Sequence, residues 1–230
     1  MKILVLNANT TESVTQALVE RLQSACPPNV QLIGATATFG APYVASRAAV
    51  TVAGHAALEA VRASVAREAD AGRPPFDACH YACFGEPGIE ALREEMAVPV
   101  VGMAEATILC ALQLGERFSI LTVGEVWPPM LRELMRRTAL QERCAGLGVV
   151  PGDALALAGD RAEGARVIRA AAQTVMATQK PDVLIVGGAA LAGYAGDLTR
   201  ACGVPVLDSL FASFEQALAL ARLARRLRAA

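Results

Sequence analysis

The chain has 230 residues and a mass of 23.9 kDa, is 54% hydrophobic, and sets 21 Lys and Arg against 22 Asp and Glu. A net charge of −1 gives no electrostatic case for nucleic-acid or membrane-surface binding, and no apolar run reaches the roughly 18 residues of a membrane span. A chain of this length buries a substantial core, as one large domain or two small lobes.

Lys2 to Leu6 is an apolar run with β-branched members, the pattern of a strand covered on both faces. It follows Met1 at once, with no basic stretch and cleavage site, so we expect a cytoplasmic protein with reduced thiols. The strand runs into Asn7, Ala8, Asn9, Thr10 and Thr11, where Thr10 or Thr11 is the expected N-cap of a helix continuing through Leu22. Val30 to Ala35 is the second strand. Phe39 to Arg47 reads as a loop placed to fold over a site, ahead of an Ala-rich helix reaching about Ala71. Phe76 to Ala82 is the next strand and delivers Cys83 at its carboxyl end, where open parallel sheets bind ligands. Glu86 and Pro87 then open a helix, with the carboxylate suited to its dipole.

The second half repeats this plan. Phe118 to Val123 is a strand, followed by a turn from Glu125 to Met130 that carries the sole tryptophan, Trp127, and a helix from Met130 to Leu140. A short strand near Val149 and a helix from Arg161 to Lys180 lead to a strand ending at Gly187 and Gly188. Val204 to Asp208 is a last short strand crossing between lobes. The final helix, Phe211 to Arg228, is expected to pack back on the first half, its basic end a solvated terminus suited to the dipole.

One junction occurs twice. HYACFGEPG and VGGAALAG each leave an apolar strand through a small-residue loop into a helix. Each is followed by Val-Pro-Val, which begins 15 residues after Cys83 and 16 after Gly188. The recurrence favours a duplicated half-domain: an α/β fold of two pseudo-symmetric lobes, each with a parallel-rich sheet flanked by helices, the active site in the cleft between them. Residues 1–100 and 208–230 are assigned to lobe 1, with Cys83, and 101–207 to lobe 2, with Gly188.

A cysteine just ahead of a helix amino terminus can have its thiolate stabilised by the dipole and free N–H groups, which lowers its pKa toward neutrality. The same N–H groups can hold a carboxylate or an enolate oxygen. The bland reading is an ordinary buried cysteine. Asn7, Asn9, Thr10 and Thr11 offer donors at the same sheet edge, or serve only as turn and cap residues. Ser46 and Arg47 lie at the loop before the second helix, and Arg47 is either a bidentate carboxylate clamp or a solvated surface residue. Glu86 and Glu105 lie near the site, read as a helix-start carboxylate and a solvated group; either would support proton transfer if burial raised its pKa. His55 reads as exposed or satisfied. The six cysteines, at positions 26, 79, 83, 110, 144 and 202, form no CxxC pair. On a strand Cys79 and His80 face opposite ways, the wrong geometry for joint metal ligation.

The segments NANTT, ACFGEPG, PVVGMAEA and GGAALAG together resemble the Asp/Glu/hydantoin racemase family over nearly the whole chain, most of all its hydantoin and allantoin racemase branch. In that branch the first turn reads Asn-Pro-Asn-Thr, and here Ala8 replaces the proline. The Cys-Phe-Xaa-Xaa-Pro-Gly motif is matched in full from Cys83, and a second cysteine motif has Gly188 in place of its thiol. The resemblance implies a two-lobed α/β fold, a homo-oligomer, a small-molecule substrate, and chemistry that needs neither metal nor pyridoxal phosphate. It also implies a mechanism in which one cysteine removes an α-proton and a second reprotonates the opposite face.

Carried onto this sequence, the resemblance makes Cys83 the catalytic acid/base and Asn7, Thr10 and the backbone that follows Cys83 substrate binders. With the positions read from their placement, the substrate-binding candidates are Asn7, Asn9, Thr10, Thr11, Ser46, Arg47, Phe84, Gly85, Gly188 and Ala189. The expected activity is a cofactor-independent, isomerase-class racemase of amino-acid or hydantoin type working with a single cysteine. A one-sided carbon-acid lyase, such as an arylmalonate-type decarboxylase, and a binding protein that has lost catalysis are the alternatives.

Overall fold

In a computed structural model, which describes residues 1–73, 75–152, 157 and 160–229, the eight strands form two four-stranded parallel sheets. The chain divides into two units, Met1–Met103 together with the segment from Ser213 onward, and Ala104–Ala212.

In the first unit, β1 (Lys2–Asn7), β2 (Gln31–Thr36), β3 (Ala78–Tyr81) and β4 (Val100–Gly102) lie in the order β2-β1-β3-β4. The continuous apolar reading of Lys2 to Leu6 holds, because β1 is central and buried along its whole length. Ile3, Leu4, Val5 and Leu6 have no exposed surface, and each contributes about 1.5–3 kcal/mol by leaving water. Helices α1 (Glu12–Ala25) and α2 (Arg47–Asp70) pack on β1 and β2, and α3 (Ile89–Glu95) packs on β4 and α2. Lys2, at the buried start of β1, is ion-paired to Glu68 of α2, which Arg73 grips through Nε and Nη2 at 2.8 Å each. These cations hold the Glu68 carboxyl down at about 2.

In the second unit, β5 (Phe118–Val123), β6 (Cys144–Val150), β7 (Val183–Val186) and β8 (Val206–Asp208) lie in the order β6-β5-β7-β8, the first unit's order again. Helix α4 (Met103–Leu114) leads into it. It also contains α5 (Trp127–Arg137), α6 (Arg161–Gln179) and α7 (Ala195–Cys202). Trp127, read from sequence as a turn residue, is buried and starts α5, whose first turn takes Pro128 and Pro129 where no intrahelical N–H is required.

Helix α8 (Ser209–Ala229) closes the described chain, and from Ser213 it belongs to the first unit. There Ser213 and Phe214 meet His80 of β3. All six cysteines are free thiols. Among the described residues, no helix is long and apolar enough to cross a membrane.

The strand register gives the internal repeat a physical basis. Tyr81 pairs with Leu6 on one side and Gly102 on the other, and Val186 pairs likewise with Leu121 and Asp208. The next N–H repeats the match, Ala82 donating to the Leu6 carbonyl at 2.9 Å and Gly187 to that of Leu121 at 2.8 Å. Cys83 and Gly188 therefore hold equivalent places, each two residues beyond the last paired residue of its strand.

Candidate active site

The carboxyl end of the first sheet brings two turns side by side, because β1 and β3 are neighbours in register. The turn after β1 is organised by Asn7, which is buried at the strand end. Its Nδ2 donates to Asn9 Oδ1 at 2.9 Å and to Thr15 Oγ1 at 3.0 Å, and its Oδ1 accepts from the Asn9 N–H at 3.1 Å. Asn9 Oδ1 also accepts from the Thr11 N–H at 3.0 Å. Both amide carbonyls are thus occupied in shaping the turn. The Asn9 amide nitrogen and the Thr10 hydroxyl, both on half-buried residues, form no hydrogen bond among the described residues. They are the donors this turn can offer to a ligand. Asn7 shapes the turn that presents them.

Thr11 is the N-cap of α1, but its hydroxyl makes no cap bond and donates instead to the Pro42 carbonyl at 2.8 Å. With the Thr10 N–H on the Ala41 carbonyl at 3.2 Å, this ties the Phe39 to Arg47 loop to the first turn. Ser46 serves α2 as its N-cap, accepting from the Ala49 N–H at 3.1 Å, and Arg47 begins that helix as an exposed residue. His55 is exposed and edge-on to Phe39 at 5.1 Å.

The turn after β3 carries Cys83, half-buried, followed by buried Phe84 and half-buried Gly85. The Glu86 N–H donates to the Cys83 carbonyl at 3.0 Å, and the Tyr81 hydroxyl donates to the Pro87 carbonyl at 2.9 Å, which pins the turn from the strand beneath it. Burial pushes the Cys83 thiol up to about 11. The N–H groups of Gly85 and Glu86 on the sulfur oppose the rise, and the Glu86 carboxylate adds to it. This reverses the expected depression toward neutrality. The reason is local: α3 begins only at Ile89, six residues past the thiol, with Gly88 as its N-cap, and a helix terminus acts over about one turn.

Glu86 itself departs from the helix-start reading. It is 1% exposed with a left-handed backbone, φ +50°. Sequence pattern gives no sign of that conformation, since Glu-Pro ahead of a helix reads as an ordinary first turn.

In the second unit, Gly188 adopts φ +116° and ψ 146°, a region open essentially to glycine alone. A Cβ there would meet nothing within 4 Å. The obstacle to a side chain at Gly188 is thus backbone strain of about 1–3 kcal/mol, and crowding adds nothing. The Gly188 N–H donates to Ser209 Oγ at 3.2 Å, and Ala189 starts a short 3-10 turn through Leu191. Asp208, at the end of β8, accepts from the Gly193 N–H and, at 3.0 Å, from the Leu210 N–H. Asp208 and Ser209 were not singled out from sequence. The signal that finds them is the repeat, which aligns Asp208 with Gly102.

A doubled parallel α/β fold, with a half-buried thiol just beyond a strand end and neutral donors on the neighbouring turn, has the makings of a carbon-acid proton-transfer protein. The Asp/Glu/hydantoin racemase family model matches residues 3–217, and the chain belongs to that family. A hydantoin racemase from Pseudomonas sp. strain NS671 is 27% identical over 226 residues, 98% of this chain and 88% of that one. An allantoin racemase from Pseudomonas fluorescens superposes with a TM-score of 0.89 at 31% identity, covering 97% of this chain and 92% of its own. An allantoin racemase from Klebsiella pneumoniae gives 0.87 at 26%, covering 97% and 88%. An arylmalonate decarboxylase shares the fold alone, at 16% identity and a TM-score of 0.67. The family and these relatives support a racemase-type enzyme.

Proposed function

We propose that the protein is a cofactor-independent racemase of the hydantoin or allantoin type, with Cys83 as its one thiol acid/base. The observation that carries the reading is the thiol itself. It stands just beyond a strand end, on a turn beside the free donors of Asn9 and Thr10. The substrate is a small cyclic ureide or carboxylate with an acidic carbon next to a carbonyl. The Cys83 thiolate takes the α-proton, the C–H electrons move into an enolate, and N–H and O–H donors hold the enolate oxygen. Asn9, Thr10 and the amides after Cys83 would be those donors, with Thr11 and Asn7 shaping the turn. Ser46, Arg47, Phe84, Gly188 and Ala189 are the further positions proposed to shape substrate binding. Return of a proton to the other face needs a donor that glycine lacks at position 188, and water supplies the simplest one.

One observation favours a second reading, a one-sided lyase. Cys83 has no thiol at its equivalent position, and its own pKa is pushed up to about 11, so the proton-donating form dominates at neutral pH. In that reading a 2-substituted malonate loses carbon dioxide, the C–C electrons form an enediolate, and the Cys83 S–H protonates one face.

The pH dependence separates the two. A thiolate base with a pKa near 11 makes kcat/KM climb about tenfold per pH unit between 7 and 10, because its reactive form grows as protons leave. A thiol donor makes kcat/KM flat over that range and falling as pH passes 11. A climbing profile with a racemic product supports the racemase. A flat profile with a single-enantiomer product supports the lyase.

A further inference from the structure

The turn after β7 carries Gly188 and Ala189 at its near end and Gly193 at its far end. Its near end is held by the Gly188 N–H on Ser209 Oγ at 3.2 Å, and its middle by two bonds of its own, Leu191 N–H to the Gly188 carbonyl at 3.0 Å and Ala192 N–H to the Ala189 carbonyl at 3.3 Å. Gly193 is exposed, has no side chain and adopts φ +90°, so only its backbone groups can fix it. Both are taken by side chains distant in sequence. Its N–H donates to Asp208 Oδ2 at the end of β8, and its carbonyl accepts from Nη2 of Arg161, the first residue of α6, at 2.9 Å.

Arg161 also grips the next residue. Its guanidinium lies over the Tyr194 ring, 5.0 Å from the centroid, where a cation and a ring face attract. Tyr194 is buried, stands as the N-cap of α7, and donates its hydroxyl to the Leu157 carbonyl at 3.2 Å. Residue 164 of α6 has to be small for this seat to exist: a Cβ on Gly164 would stand 2.6 Å from the Tyr194 hydroxyl and 2.7 Å from the Leu157 carbonyl oxygen. Arginine suits the place because one planar group can donate to a carbonyl while its face covers a ring, and it stays charged at any working pH. A hydrogen bond from an ionised donor is about twice as strong as a neutral one.

The first unit seats its own turn on the corresponding helix by another means. Gly88 follows Cys83 by five residues, as Gly193 follows Gly188. It rests directly on α2, where a Cβ on Gly88 would stand 3.1 Å from Gly54 Cα. In both units the turn beyond the third strand is thus anchored to the helix that follows the second strand, by backbone contact in the first and by the Arg161 side chain in the second.

We propose that Arg161 is a positioning residue for substrate binding: holding the Gly193 carbonyl and the Tyr194 ring, it keeps the Gly188–Ala189 turn in the shape that receives the substrate. The proposal rests on the reading of Gly188 and Ala189 as positions that shape substrate binding in a racemase.

The test joins hydrogen–deuterium exchange mass spectrometry of residues 187–194 to steady-state racemisation of a 5-substituted hydantoin, in the wild-type protein, R161A and R161K. Arg161 is exposed, which keeps its effect modest: in R161A the turn amides are expected to exchange roughly 3- to 10-fold faster. KM is expected to rise by a similar factor of about 3 to 10 with kcat within about twofold, because binding is weakened and Cys83 is untouched. R161K keeps the charge without the planar fork and is expected to fall between the two in both readouts. Unchanged exchange in R161A overturns the proposal, and so does faster exchange with an unchanged KM. Faster exchange throughout the second unit also overturns it, because Arg161 would then support the fold as a whole. A wild-type protein that racemises no hydantoin would refute the activity on which the substrate role depends, while the exchange result would still decide whether Arg161 holds the turn.

Discussion

Replacing Cys83 by alanine is expected to slow exchange of the substrate α-proton with solvent by about 10²–10⁴-fold, the range a positioned acid or base contributes, with the fold intact. The expectation follows from the inventory of the first sheet's carboxyl end. Asn7 is occupied within its own turn, Asn9 and Thr10 are neutral donors, and Ser46 caps α2. None of these takes a proton from carbon at neutral pH. Cys83 is half-buried on a turn beyond the strand end, and alanine keeps its Cβ while removing only the sulfur. Far-ultraviolet circular dichroism of Cys83→Ala should therefore match wild type while the exchange rate, followed by proton NMR, collapses. Exchange within threefold of wild type would remove Cys83 from the chemistry.

The second large effect concerns stability. His80 sits fully buried on β3, its Nε2 2.7 Å from Ser213 Oγ and its ring edge-on to Phe214 at 5.8 Å, and Nδ1 has no hydrogen-bond partner among the described residues. Burial pushes the imidazole down from 6.5 to about 3. A depressed histidine binds its proton more weakly in the folded than in the unfolded state. Its contribution is therefore complete above pH 6.5 and drains as pH falls toward 3. About 2–3 kcal/mol should be gone by pH 4.5. Glu68, held at about 2, loses its contribution only below the ordinary carboxylate range near 4.5. The window from 6.5 to 4.5 therefore isolates His80 from Glu68. In urea unfolding across that window, wild type should lose stability steadily. His80→Gln, which keeps a polar group for Ser213 and does not titrate, should be nearly flat. Equal slopes in the two proteins would assign the acid sensitivity elsewhere.

How much of this was readable in the sequence depends on whether the cause was local. The buried run of β1, the delivery of Cys83 at the end of β3 and the match of Cys83 to Gly188 rest on short apolar segments and their spacing, and all three hold in the fold. The thiol's raised pKa is not legible in the sequence, because Glu86 and Pro87 read as the first turn of a helix that in the fold starts only at Ile89. The place of Glu86 is equally hidden, since its left-handed φ and its approach to Gly102 go with the pairing of β3 and β4, which no local pattern encodes. His80 was readable as facing away from Cys79, but its partner Ser213 lies 133 residues further along the chain. Ser46 shows the opposite limit, since an N-cap and a ligand-binding serine look alike until the Ala49 N–H is seen to hold the hydroxyl.

The proposed activity is tested most directly by incubating the wild-type protein in D₂O with 5-substituted hydantoins, allantoin, amino acids and 2-substituted malonates, and following the α-proton by NMR. We expect the α-proton signal of a hydantoin or of allantoin to disappear as deuterium enters both enantiomers, and to persist with Cys83→Ala. Retention of the α-proton in every one of these compounds would contradict the account.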